Sequence, residues 1–191
     1  MLRDLGKLIM RLVVGGLLMG HGSQKLFGWF GGYGVDGTAG WLESIGLKPG
    51  RTWAWAAGLG EFGGGLLTAL GLLHPVGSIS LIGPMAVATG TAHAGKPIWV
   101  SEGGAELPVT NIALGLGLSL TDPGRYSLDS LLKIKTPAWL IGLTAAGLVA
   151  GTAYALARQP WAPGAEEHGA EEHEAGAELQ GGAGVSESDA A

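Results

Sequence analysis

The chain has 191 residues, of which 47% are hydrophobic and only 14% charged. A soluble domain carries about 25% charged residues, so the balance favours a protein of the bilayer. Cysteine is absent, which excludes disulfides, thiol redox chemistry and thiolate metal sites.

The net charge of −5 is unevenly placed. Residues 159–191 hold eight acidic side chains and no Lys or Arg, so the eleven basic and eight acidic groups before them leave +3. The 37 glycines show no collagen period, and several sit inside apolar runs, where small residues let membrane helices approach closely.

In chain order, the basic start and apolar middle of MLRDLGKLIMRLVVGGLLMG look like a signal peptide without a small-x-small cleavage site. A retained first helix over residues 6–27 is therefore expected, with Lys7 and Arg11 snorkelling to the interface. A glycine-rich connection follows at 28–51. Within it, Trp41, Leu42 and Ile45 share a face, predicting a short interfacial helix at 38–45 closed by Gly46 and Pro49. The second long helix spans 52–73, interrupted only by Glu61. After the His74-Pro75 turn, a third spans 76–94 with a kink expected at Pro84. The fourth spans 105–120, a short surface helix covers 127–135, and residues 136–157 give an uncharged fifth span. The expected architecture is thus an all-α membrane protein. A four-helix transmembrane bundle fills 1–135, an extra transmembrane helix fills 136–157, and a disordered acidic tail fills 158–191. In the tail, His168 and His173 stand among glutamates in AEEHGAEEHE, leaving weak divalent-cation binding as the alternative to a merely solvated segment.

Lys and Arg near the span ends count six against five, and the first helix sets the orientation, so the N-terminus is expected in the cytoplasm. His21 and Lys25 are four apart and share a helix face. Glu61 lies roughly 13 Å into its helix at 1.5 Å per residue. His93 closes the third helix and Glu106 opens the fourth, with Asn111 about a turn deeper. Four helices therefore each bring an ionisable group to the outer half of the bilayer, where such a group costs roughly 2.5–3.5 kcal/mol at a helix centre unless paired. The leading expectation is that His21 or Lys25 pairs with Glu61. The bland alternatives are a snorkelling Lys25, a core His21 or His93 bonded to backbone, a helix-capping Glu106 and a purely structural Glu61.

The segments HGSQKLFGWFGG, GTAGWLESIGLKPG, AGLGEFGGGLLTALGLLHP, WVSEGGAELP and DPGRYSLD, in this order and spacing, resemble the DoxX family of small prokaryotic membrane proteins. The resemblance covers residues 8–129 and implies a four-helix bundle of the plasma membrane associated with respiratory or oxidative-stress redox complexes. It also implies two departures here: an asparagine is common at Glu102 and an aromatic at Ala105. Against that background three readings stand. The first is a quinone-facing accessory subunit of an oxidoreductase, with His21, Lys25, Glu61, His93 and Glu106 in the proton chemistry and His21, Gln24, Glu61 and Asn111 binding the head group. The second is a non-catalytic scaffold for a redox partner or a homo-oligomer. The third is a small transporter. No intrinsic cofactor, metal or nucleic-acid partner is expected beside the quinone, and the lipid bilayer is the common partner.

Overall fold

The computed structural model describes residues 1–158; residues 159–191, with the expected acidic tail and its two histidines, lie outside the described residues. Among the described residues the chain is helical, with seven α-helices and no strand. They are α1 (Leu2–Phe27), α2 (Gly34–Ser44), α3 (Gly50–Leu70), α4 (Val76–Gly90), α5 (Glu106–Ser119), α6 (Leu128–Leu132) and α7 (Ala138–Ala157), with 3₁₀ turns at Trp29–Gly31 and Val100–Glu102. The packing order is α1 on α3, α3 on α4, α4 on both α5 and α7, with α2 laid over α3.

Local chemistry explains most boundaries. Gly28 and Gly71 end α1 and α3 in the left-handed conformation that glycine adopts without a Cβ penalty. The interfacial helix starts four residues earlier than expected, at Gly34. Its end is joined to α3 by the Glu43 carboxylate, which accepts the Gly50 N–H at 2.8 Å. α4 continues through Pro84 but stops at Gly90, four residues short of expectation. There the hydroxyls of Thr89 and Thr91 each donate to the carbonyl four residues back, a local bond that competes with continued helix geometry. The surface helix shrinks to five residues, started by the Ser127 hydroxyl accepting the Ser130 N–H.

The α1–α3 contact is a backbone contact. A Cβ on Gly15 would stand 2.6 Å from the Ala69 nitrogen, and one on Gly65 would stand 2.6 Å from the Met19 nitrogen. Only the missing side chains let the two helices come this close. Beside this seam Val14, Leu18, Leu81, Met85 and Leu118 form one apolar core, and Leu42, Leu47, Ala54 and Ala155 form a second under α2.

By length and apolarity, two helices can cross a bilayer, α1 and α7; α4 is apolar but has only 15 residues. The five equivalent spans expected from sequence are therefore not five equal helices. α5 has 14 residues, roughly 21 Å of helix, and α3 carries Glu61 and Arg51 among eight glycine and threonine positions that dilute its hydropathy. The outer faces are apolar nonetheless: Ile9, Leu12, Val13 and Leu17 of α1 and Leu143 and Val149 of α7 are more than half exposed. Contiguous exposed apolar surface of this kind marks a membrane or protein contact.

Candidate functional site

The last turns of α1 and the middle of α3 form the site. Lys25 projects from α1 toward α3, and its Nζ lies 2.6 Å from Glu61 Oε2. Glu61 is eleven residues into α3, roughly 16 Å from its start, and its side chain is 3% exposed against 26% for Lys25. The depth is a consequence of the glycines around it. Gly58 accepts the Leu26 side chain, while Gly60 and Gly64 seat Pro84 and Ser80 of α4, so the helices close over the carboxylate. A bare carboxylate there would lack solvation; the ammonium supplies a charge-assisted hydrogen bond instead.

Lys25, and not His21, therefore takes the Glu61 partnership, and it does not snorkel. His21 is exposed, and its Nδ1 lies 3.0 Å from Gln24 Oε1; Gln24 in turn donates to the Phe30 carbonyl at 3.3 Å. These two side chains order the end of α1 and the turn after it.

Lys25 and Glu61 line a cavity of about 800 Å³, within the about 300–1,000 Å³ range of small-molecule sites. His21, His93 and Asn111 line it too, from α1, the segment after α4, and α5. His93 Nδ1 lies 2.6 Å from the Gly103 carbonyl, and Asn111 makes one weak contact, to Met85 Sδ at 3.8 Å. Most other lining groups are apolar, among them Leu18, Met85, Val87, Leu107 and Leu148. Of the expected site residues, Gln24 and Glu106 do not line the cavity. The Glu106 carboxylate accepts the Val100 N–H at 3.0 Å and so closes the turn that precedes α5. Among the described residues no group of three or more His, Asp or Glu could hold a metal ion.

Residues 6–94 match the family model described as DoxX. This segment belongs to the DoxX family. No curated protein and no solved structure matches it. The DoxX segment contains both halves of the ion pair and His93, and ends before Asn111 and Glu106; the likeness read over residues 95–129 lies beyond the match. Membership, together with the apolar outer faces of α1 and α7, makes this a membrane protein in contact with lipid.

A second polar cluster lies at the opposite end of α1 and α3, where the sequence suggested only snorkelling cations. Arg11 is 3% exposed and donates from Nη2 to the Tyr126 carbonyl at 2.6 Å. Asp129, 5% exposed, accepts the Leu73 N–H at 2.9 Å and the His74 N–H at 2.8 Å, and its own N–H donates to the Gly71 carbonyl. His74 Nε2 lies 2.7 Å from the Thr121 carbonyl, and Lys7 pairs with Asp122 at 2.5 Å. These contacts satisfy the backbone of the α3–α4 turn and bind it to α1 and to the segment after α5. A cue was present in sequence: Asp129 ends the same DPGRYSLD motif that carries the family resemblance. Its partners, 55 and 56 positions away, were not legible.

Proposed function

We propose that this protein is the membrane-embedded, quinone-facing accessory subunit of an oxidoreductase complex, with the head group held at the Lys25–Glu61 pair. The observation that carries the reading is an ion pair buried in a cavity of about 800 Å³ whose remaining lining is mainly apolar. A quinone fits that donor set. Lys25 can donate to a ring oxygen, Asn111 and His93 offer further polar contacts, and the apolar walls suit a ring and tail. The quinone would supply the two-electron chemistry, and electrons would arrive from a partner subunit. This chain's part is to bind and orient the head, exclude water, and hold a proton at Glu61 Oε2 or Lys25 Nζ beside it. His21, exposed at the cavity edge, is placed to exchange protons with the outside.

In this reading α1, α3, α4 and α5 cross the membrane as a four-helix bundle, with α7 as a fifth span and α2 at the outer interface. The shorter α4 and α5 reach across with their connecting turns. The N-terminus faces the cytoplasm of a prokaryote, so the ion pair belongs to the outer half of the plasma membrane. Support comes from the helix ends. Lys7 and Asp122 meet at one end, and Trp53 stacks on Tyr154 at the other, with ring centroids 6.1 Å apart, as five antiparallel passes require.

The test is binding of a short-tailed benzoquinone to the full chain in lipid nanodiscs, with co-purified partners identified by mass spectrometry in mild detergent. Saturable binding that weakens in Lys25→Met and Glu61→Gln supports the reading, and a co-purifying redox enzyme adds to it. No saturable binding overturns it in favour of a scaffold. That second reading draws on the glycine-mediated α1–α3 seam, in which the ion pair would only fix helix register.

A further inference from the structure

α7 lies outside the segment that defines the family, and its exposure suggests a simple anchor. Its inward face says otherwise. Thr144, Gly147, Leu148, Gly151 and Thr152 line the same cavity as Lys25 and Glu61, and their spacing of three and four places them on one stripe. α7 is held by α4: a Cβ on Gly83 would meet Leu148, and one on Gly90 would meet Leu156. Gly147, beside the first of those anchoring contacts, and Gly151, between the two, have nothing within 4 Å of where a Cβ would stand. They face space, not a packed neighbour. The Thr152 hydroxyl, also buried in this wall, has no hydrogen-bond partner.

The depths also agree. Trp53 of α3 stacks on Tyr154 of α7, so the two helices share a level there. From that level Glu61 is eight residues along α3 and Gly147 seven residues back along α7, roughly 12 and 10 Å at 1.5 Å per residue. Gly147 thus stands at the depth of the ion pair, with Gly151 roughly 6 Å nearer the Trp53–Tyr154 level.

We propose that α7 is the wall of a tail channel, and that Gly147 and Gly151 keep it open for the apolar chain of a membrane-dissolved amphiphile whose polar head rests at Lys25 and Glu61. Gly147 and Gly151 are then specificity-determining positions: they set the girth and length of tail that enters. This rests on the reading of the cavity as a ligand site, but not on the ligand's being a quinone. The charged and histidine side chains reach the cavity from α1, α3 and the segment after α4, and Asn111 from α5, whereas α7 contributes two threonine hydroxyls and no charge, so one molecule must present a hydrogen-bonding head to one side and hydrocarbon to the other.

The experiment uses the full chain in lipid nanodiscs and two photoreactive probes with the same alkyl-diazirine tail, one headed by benzoquinone and one by a hydroxyl. Labelled positions on α7 are read by mass spectrometry. Leu143 and Val149, on its exposed face, report background labelling from lipid. Expected is labelling of the 144–152 stripe that excess unlabelled amphiphile competes away. It should fall by about tenfold in Gly151→Leu, where the new side chain occupies the channel, while Leu143 and Val149 stay unchanged. Gly147→Leu is the second variant. Neither position touches a neighbour, so both should keep wild-type thermal unfolding. If only the hydroxyl probe labels the stripe, the tail channel stands and the quinone reading falls. If the stripe labels no more than the lipid face with either probe, or labels equally in wild type and both variants, the tail channel is overturned.

Discussion

Lys25 Nζ and Glu61 Oε2 meet at 2.6 Å although 36 positions separate them, and the pair joins the end of α1 to the middle of α3. Removing one partner of a buried pair costs about 3–5 kcal/mol because the other charge is stranded. Stranding differs between the two here, since Glu61 is 3% exposed and Lys25 26%. Lys25→Met is therefore expected to destabilise more than Glu61→Gln. The double replacement Lys25→Met with Glu61→Leu should recover most of the loss, because no charge remains to solvate. Thermal unfolding in one detergent across the cycle checks this, and additive losses would contradict it.

Gly15 and Gly16 are neighbours with opposite surroundings. A Cβ on Gly15 would stand 2.6 Å from the Ala69 nitrogen, whereas one on Gly16 meets nothing within 4 Å. Gly15→Ala is expected to cost about 1–3 kcal/mol by forcing α1 off α3. Gly16→Ala should be neutral or gain up to about 1 kcal/mol from helix propensity. Parallel unfolding curves decide it; equal effects would mean the seam is not a close backbone contact.

Asp129 serves two backbone donors at once, the N–H groups of Leu73 and His74. Asp129→Ala leaves both without an acceptor, at about 1–3 kcal/mol each. Asp129→Asn keeps one carbonyl oxygen and should lose roughly half as much. Arg11→Met is expected to be milder than Asp129→Ala, because Nε and Nη1 of Arg11 already lack hydrogen-bond partners. Amide exchange at Leu73 and His74 offers a local reading: it should accelerate in both Asp129 variants and little in Arg11→Met.

Asp122, on the loop between α5 and α6, is held below the usual carboxylate range by the hydrogen bond from Lys7, with the Gly124 N–H adding to it. A depressed carboxyl contributes stability above its unfolded value, 3.8, and loses it as pH falls through the folded value. The stability difference between wild type and Asp122→Asn should thus be flat from pH 5 to 7 (about one to three units above the unfolded value) and vanish on further acidification. It will be small, since Asp122 is 72% exposed and the pair is screened by solvent. A difference that grew towards low pH would reverse the assigned sign.

Composition and periodicity by themselves determined that this is an all-helical membrane protein, located each long apolar helix to within a few residues, and singled out Glu61 as a group needing a partner. These follow from local chemistry: hydropathy, glycine caps and the solvation cost of a charge all belong to a short stretch of chain. Only the tertiary structure decided that Lys25, not His21, meets Glu61, because that depends on how α1 is rotated against α3 and on how near Gly15, Gly22 and Gly65 let the backbones come. It turned Arg11 from a snorkelling cation into a buried donor and gave Asp129 a role in the α3–α4 turn. It also made α7 a cavity wall. Gly147 and Gly151 look like any membrane-helix glycines until Leu148 and Leu156, seated on α4, fix which way they face. Contacts between distant helices depend on rotation and separation, and those emerge only when all the packed surfaces are satisfied together.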